Sequence, residues 1–219
     1  QSSILVGDYL LSRCFEMMVE DGNLEILRLL SSTSTEIAQG EVLQLQHKGE
    51  IDILEETYFK IISSKTAALF SAATKVGAIL GDKDAKYKEA LEFYGKNIGL
   101  TFQIADDALD YNSNLKSFGK EIGNDFFEGK VTLPIILLYQ KIQNSEKKIL
   151  KNLFHKDERE NKELDYVLNL IKKNNIIKDC YRKADHFINL ASNALSVFEE
   201  SKEKTILKNL TKFSIERNF

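Results

Sequence analysis

One proline, Pro134, interrupts a chain of 219 residues. Proline and glycine are what a chain uses to turn sharply, and with only 11 glycines beside it there is too little punctuation for a sandwich or barrel of many short strands. Long helices remain, and the apolar spacing agrees. It predicts helices over 3–20, 24–47, 54–80 and 84–112, then at about 131–143, 146–154, 160–173, 175–200 and 203–216. Only the polar, glycine-containing stretch 112–130 reads as loop. With no internal repeat and no low-complexity linker, the expected fold is all-α, a single bundle of long antiparallel helices.

Composition narrows the function. Apolar residues make up 43% and charged residues 29%, a globular balance that can bury a sizeable core. The net charge of −3 leaves no strongly basic surface, so nucleic acid is not an expected partner. Residues 111–183 carry 15 basic and 10 acidic side chains, most of them read as a solvated helical face. Cys14 and Cys180 lie far apart, and with only His47, His155 and His186 no zinc or disulfide framework is visible. No apolar run reaches the ~18–20 residues of a membrane span, and a cytoplasmic location is the default.

Chemistry concentrates in four places. In Asp106-Asp107-Ala108-Leu109-Asp110 the three carboxylates fall within one helical turn, and spacings of three and four put them on one face. A solvated acidic face is one reading of so short a motif. The apolar flanks Phe102, Ile104, Ala105 and Leu109 favour the other, a hard divalent cation such as Mg²⁺ held by oxygen ligands and shared with substrate phosphates. The stretch from Phe118 to Thr132 holds Lys120, Lys130, Gly119, Gly123 and Gly129, residues suited to gripping a diphosphate by close backbone approach and point charge. It is not a nucleotide P-loop: five residues, not four, separate Gly123 from Gly129, and Val131 stands where Ser or Thr would be needed. Gly40, mid-helix in Glu36-Ile37-Ala38-Gln39-Gly40-Glu41, costs about 1 kcal/mol against Ala and reads as room for a neighbouring chain. Lys65-Thr66-Ala67 is the fourth place; a lone helical lysine is most often on the surface.

In this order the segments resemble the trans-isoprenyl (polyprenyl) diphosphate synthase family. The matching runs are GDYLLSR (7–13), EIAQGEVLQ (36–44), KTA (65–67), FQIADDALD (102–110), GKEIGNDFFEGKVTLP (119–134) and SIERNF (214–219). The resemblance spans the whole chain and points to a bacterial long-chain, octaprenyl-type synthase with the class I isoprenoid synthase bundle. It implies that Asp106, Asp107 and Asp110 form a Mg²⁺-holding motif with Asp125 beside them. It implies that Lys65, Lys120 and Lys130 grip an allylic diphosphate of farnesyl or geranyl type, with Thr66 and Gln103 as polar contacts. The implied reaction joins isopentenyl diphosphate to that allylic diphosphate by ionisation, condensation and elimination, in a homodimer.

The family also carries an earlier aspartate-rich motif that these runs do not include. The chain opens inside an apolar pattern at Ile4, Leu5 and Val6, so an upstream segment is expected to be missing: residues 1–219 read as the C-terminal portion of one synthase domain, incomplete for catalysis alone. Two other readings stay open, a non-catalytic partner subunit of a synthase and a class I terpene cyclase. The first helix, with Leu10, Leu11, Phe15, Met17, Met18 and Val19, is apolar around more than one face and reads as an interface.

Overall fold

The structure is a computed structural model and describes residues 2–112 and 122–213. Among the described residues there is no strand, and the helices run α1 (Ser2–Asp21), α2 (Leu24–Gln46), α3 (Glu55–Ile62), α4 (Ala68–Leu80), α5 (Ala85–Asp110), α6 (Asn124–Glu128), α7 (Leu133–Lys141), α8 (Asn144–Phe154), α9 (Asn161–Lys173), α10 (Ile176–Ala194) and α11 (Lys202–Phe213). The all-α expectation holds. None of these helices is long and apolar enough to cross a membrane.

Local chemistry sets the boundaries. Gly22, at φ 73°, ends α1, and the Asn23 side chain caps α2 by accepting from the amides of Glu25 and Ile26 at 2.9 and 3.2 Å. Pro134 lies in the first turn of α7, where a missing N–H costs nothing. The side chains of Glu146 and Glu163 reach back to the amides of Gln143 and Glu160 at 3.1 and 2.9 Å, fixing the starts of α8 and α9.

The longest helix, α5, is the spine, and α4 and α10 flank it. Its residues Tyr94, Ile98, Ile104, Ala105 and Ala108 are buried. Two glycines let α4 and the residue before it approach: a Cβ on Gly95 would sit 2.3 Å from the Phe70 carbonyl oxygen, and one on Gly99 2.5 Å from the Ala67 Cα. The main core lies between α5, α7, α9 and α10, around Tyr111, Phe126, Leu138, Phe154, Val167 and Ile176.

Three expected boundaries shift. The helix expected over 54–80 is divided by a π-turn, Ser63–Ala67, which carries Lys65. The expected loop contains α6, bracketed by Gly123 and Gly129 with left-handed φ of 83° and 72°. The helix expected to reach residue 200 ends at Ala194 and passes into a 3₁₀ turn, Leu195–Val197.

In α1 no residue is buried. Ile4, Leu5, Tyr9, Leu10, Phe15 and Val19 are all exposed in the single chain.

Candidate functional site

Asp107 is the most buried of the three α5 carboxylates, at 3% exposure. It accepts hydrogen bonds from the Tyr58 hydroxyl at 2.6 Å and from Gln103 Nε2 at 2.7 Å. Gln103 Oε1 in turn accepts from Thr66 Oγ1 at 2.8 Å. One chain of hydrogen bonds thus ties α3, the π-turn and α5 together. Burial, then the charge of Asp125, pushes the Asp107 pKa up to about 8 against the opposing bonds from Tyr58 and Gln103. Burial and the Asp107 charge likewise drive the Tyr58 pKa well upward.

Asp110 faces the chain that folds back over the end of α5. Its carboxylate accepts from the amides of Asn124 and Asp125 at 3.2 and 3.0 Å, and its own carbonyl accepts from Gly123 at 2.9 Å. Asp110 therefore pins the start of α6, and by doing so it sets Asp125. Burial first, then the charge of Asp110, raises the Asp125 pKa to about 6, with Lys130 opposing and Asp106 adding. Asp106 is half-buried, and its charge reaches both Asp107 and Asp125.

The lysines stand across from these acids. Lys65 Nζ lies 2.7 Å from Glu41 and 2.7 Å from Gln44, both on α2. Lys130 Nζ lies 2.5 Å from Glu128 and 3.9 Å from Asp125. Partial burial works against the charged form of Lys130, but the Glu128 hydrogen bond and the charges of Asp125 and Glu128 outweigh it and raise its pKa. The Glu128 pKa is lowered by its hydrogen bond to Lys130, against a small burial effect, with help from Lys130, Lys48 and Lys65. Lys65 and Lys130 are thus brought within one field, although 65 positions separate them. Lys65 is placed by the π-turn, and the π-turn by Gly40: a Cβ there would be 2.6 Å from the Lys65 amide nitrogen. The reading of Gly40 as room for a neighbouring chain holds. Lys120 lies outside the described residues.

The three α5 carboxylates do not gather into one cage. Among the described residues, no three His, Cys, Asp or Glu side chains stand close enough to hold a metal by themselves. The hydrogen bonds of Asp107 and Asp110 explain this, for both turn toward protein donors. Burial, the charge of Asp110 and that of Asp106 raise the proton affinity of Asp125, which places Asp106 and Asp125 in one neighbourhood. Mg²⁺ is commonly held by one or two carboxylates, with water and substrate phosphate completing its shell, and this donor set fits that pattern.

Sequence reasoning missed Tyr58, and it assigned no role to Glu41 and Glu128 within the segments it singled out. An aromatic ring at helical spacing, such as Tyr58, reads from sequence as one more apolar position of the helix over 54–80. Its partner is 49 residues away, and nothing local marks the pair.

A family model described as polyprenyl synthetase matches residues 1–171. The chain belongs to the polyprenyl synthetase family. Among its polyprenyl synthetase relatives, an all-trans-nonaprenyl-diphosphate synthase (geranyl-diphosphate specific) of Rhodobacter capsulatus is 36% identical over 217 residues, covering 99% of this chain and 66% of the relative. An octaprenyl diphosphate synthase of Escherichia coli (strain K12) is 44% identical over 135 residues, 62% of this chain and 42% of the relative. Among solved structures, a polyprenyl synthase from Caulobacter crescentus CB15, complexed with calcium and isoprenyl diphosphate, superposes with a TM-score of 0.94 at 36% identity, covering 100% of this chain and 66% of that one. This polyprenyl synthetase chain therefore spans at most 66% of the length of these relatives.

Proposed function

We propose that this chain holds the allylic diphosphate and divalent-cation side of a prenyltransferase site, and serves the condensation of isopentenyl diphosphate with an allylic diphosphate into long all-trans polyprenyl diphosphates. One observation carries the reading: Asp125 lies in electrostatic reach of both Asp106 and Lys130, and Lys65 on the π-turn shares Glu41 and Glu128 with Lys130, so acids and lysines from the π-turn, α5 and the α6 segment meet in one region. The family membership supports it.

In this reading Lys65, Lys120 and Lys130 offer point charges to the diphosphate and draw electrons onto it as its allylic C–O bond breaks. The isopentenyl double bond attacks the allylic cation, and a proton passes to the departing diphosphate. Asp106 and Asp125 would hold Mg²⁺, which would supply Lewis-acid neutralisation of the diphosphate charge. Asp107 and Asp110 frame the site: the first orients Gln103 and through it Thr66, the second seats Asp125. A second copy of the chain is read as the partner that covers α1.

The test is calorimetric titration of this chain with farnesyl diphosphate in the presence and absence of MgCl₂. Mg²⁺-dependent binding that disappears in the Asp106→Ala, Asp125→Ala double variant is the expected result. Binding that ignores both Mg²⁺ and the substitutions would refute the assignment.

A further inference from the structure

Arg159 lies in the connection between α8 and α9, behind the segment that carries Asp125 and Lys130. It is half-buried. Its guanidinium donates from Nε to the Leu153 carbonyl at 3.0 Å, from Nη2 to the Phe154 carbonyl at 2.8 Å and from Nη1 to the Phe127 carbonyl at 3.2 Å. Two of these acceptors belong to the last turn of α8, where a cation complements the helix dipole; the third belongs to α6. The guanidinium also stacks over Phe154 and Phe126, at 5.5 and 5.8 Å from their ring centres. A Cβ on Gly129 would lie 2.8 Å from Nη2, so the glycine leaves the space that the guanidinium occupies. The opposite side of the segment is fastened by Asp110 to the amides of Asn124 and Asp125, and by the Gly49 amide to the Gly129 carbonyl at 3.0 Å.

We infer that Arg159 is a positioning residue: its guanidinium clamps α6 to the end of α8 and thereby holds Asp125 and Lys130 at the height where they meet Asp106 and the diphosphate. The diphosphate part of this inference rests on the function proposed above. The planar fork is essential, because only a guanidinium presents several fixed donors to carbonyls on two elements while stacking on rings.

The experiment compares wild type, Arg159→Ala, Arg159→Lys and a control, Leu195→Ala, whose buried side chain belongs to a separate apolar cluster. Inorganic pyrophosphate is titrated in MgCl₂, and hydrogen exchange is followed in residues 123–130. Both Arg159 variants should weaken pyrophosphate binding at least 10-fold and speed exchange in 123–130, while Leu195→Ala lowers the melting temperature and leaves both readouts within 2-fold of wild type. Wild-type binding in Arg159→Lys would overturn the fork geometry, and unchanged exchange in both variants would overturn the clamp. If wild type binds no pyrophosphate, the diphosphate reading fails alone, and the exchange comparison still decides for or against the clamp.

Discussion

Replacing Gly40 with alanine sets two effects against each other, and the structure decides between them. In a helix interior, alanine is better than glycine by about 1 kcal/mol. At Gly40 the added methyl would lie 2.6 Å from the Lys65 amide nitrogen, 2.9 Å from the Ser64 Cβ and 3.0 Å from the Lys65 Cα. Comfortable contacts between carbon atoms are roughly 3.5–4.0 Å, so α2 and the π-turn must part by something near ~1 Å. Two of the three obstructing atoms are backbone and cannot rotate away. Overpacking of this kind costs about 1–3 kcal/mol, occasionally more, and the upper end applies here. The net expectation is a loss of about 2 kcal/mol, or ~4–8 °C in melting temperature for a chain of this size. Gly77, in α4 with nothing within 4 Å of its would-be Cβ, is the internal control: Gly77→Ala should stabilise by up to ~1 kcal/mol. Thermal unfolding followed by circular dichroism at 222 nm measures both. If Gly40→Ala melts at or above wild type, the close packing of α2 on the π-turn is wrong, and with it the account of how Lys65 is placed.

Other consequences are testable in the same protein. Without metal, stability should fall as pH rises through about 6 and then about 8, because Asp125 and Asp107 have folded-state pKa values raised to about those levels from 3.8. A raised acid stabilises fully only below its unfolded pKa and loses that contribution as pH passes its folded one. The groups facing Asp107 include Tyr58, Gln103, Asp125, Asp106, Tyr111 and Cys180; Asp107→Asn should remove the upper limb of the decline, on the order of a few kcal/mol, in urea titrations from pH 5 to 9 with EDTA. Lys130→Ala should weaken farnesyl diphosphate binding roughly 10-fold or more, since a charge-assisted contact contributes ~1.5–3 kcal/mol; titration calorimetry that shows no loss counts against its role. Sedimentation at micromolar concentration should give a dimer, and Leu10→Glu with Phe15→Glu on the exposed α1 face should shift it to monomer. An unshifted dimer would place the interface elsewhere.

What the sequence disclosed and what it withheld divide along one physical line. Long apolar periodicity is a local signal, and it located the helices; Gly40 advertised a close approach because a glycine inside a helix needs a reason. The acidic cluster was equally visible, but its division of labour was not. Successive residues on a helix are rotated by ~100°, so Asp106 and Asp107 cannot share one outlook, and what each meets is decided by chain far away. Asp107 meets Tyr58, from a helix 49 residues earlier. Asp110 returns close to the direction of Asp106, yet it stands in the last position of α5, where the returning chain offers it the amides of Asn124 and Asp125. Its carboxylate is thereby hydrogen-bonded to backbone donors, and its charge, with that of Asp106, bears on Asp125. A three-residue motif read along the chain thus becomes, in three dimensions, one half-buried carboxylate, one buried acceptor of side-chain hydrogen bonds and one anchor for the returning backbone. Asp125, the fourth acid, keeps its place at the end of α5 because Asp110 accepts from its amide.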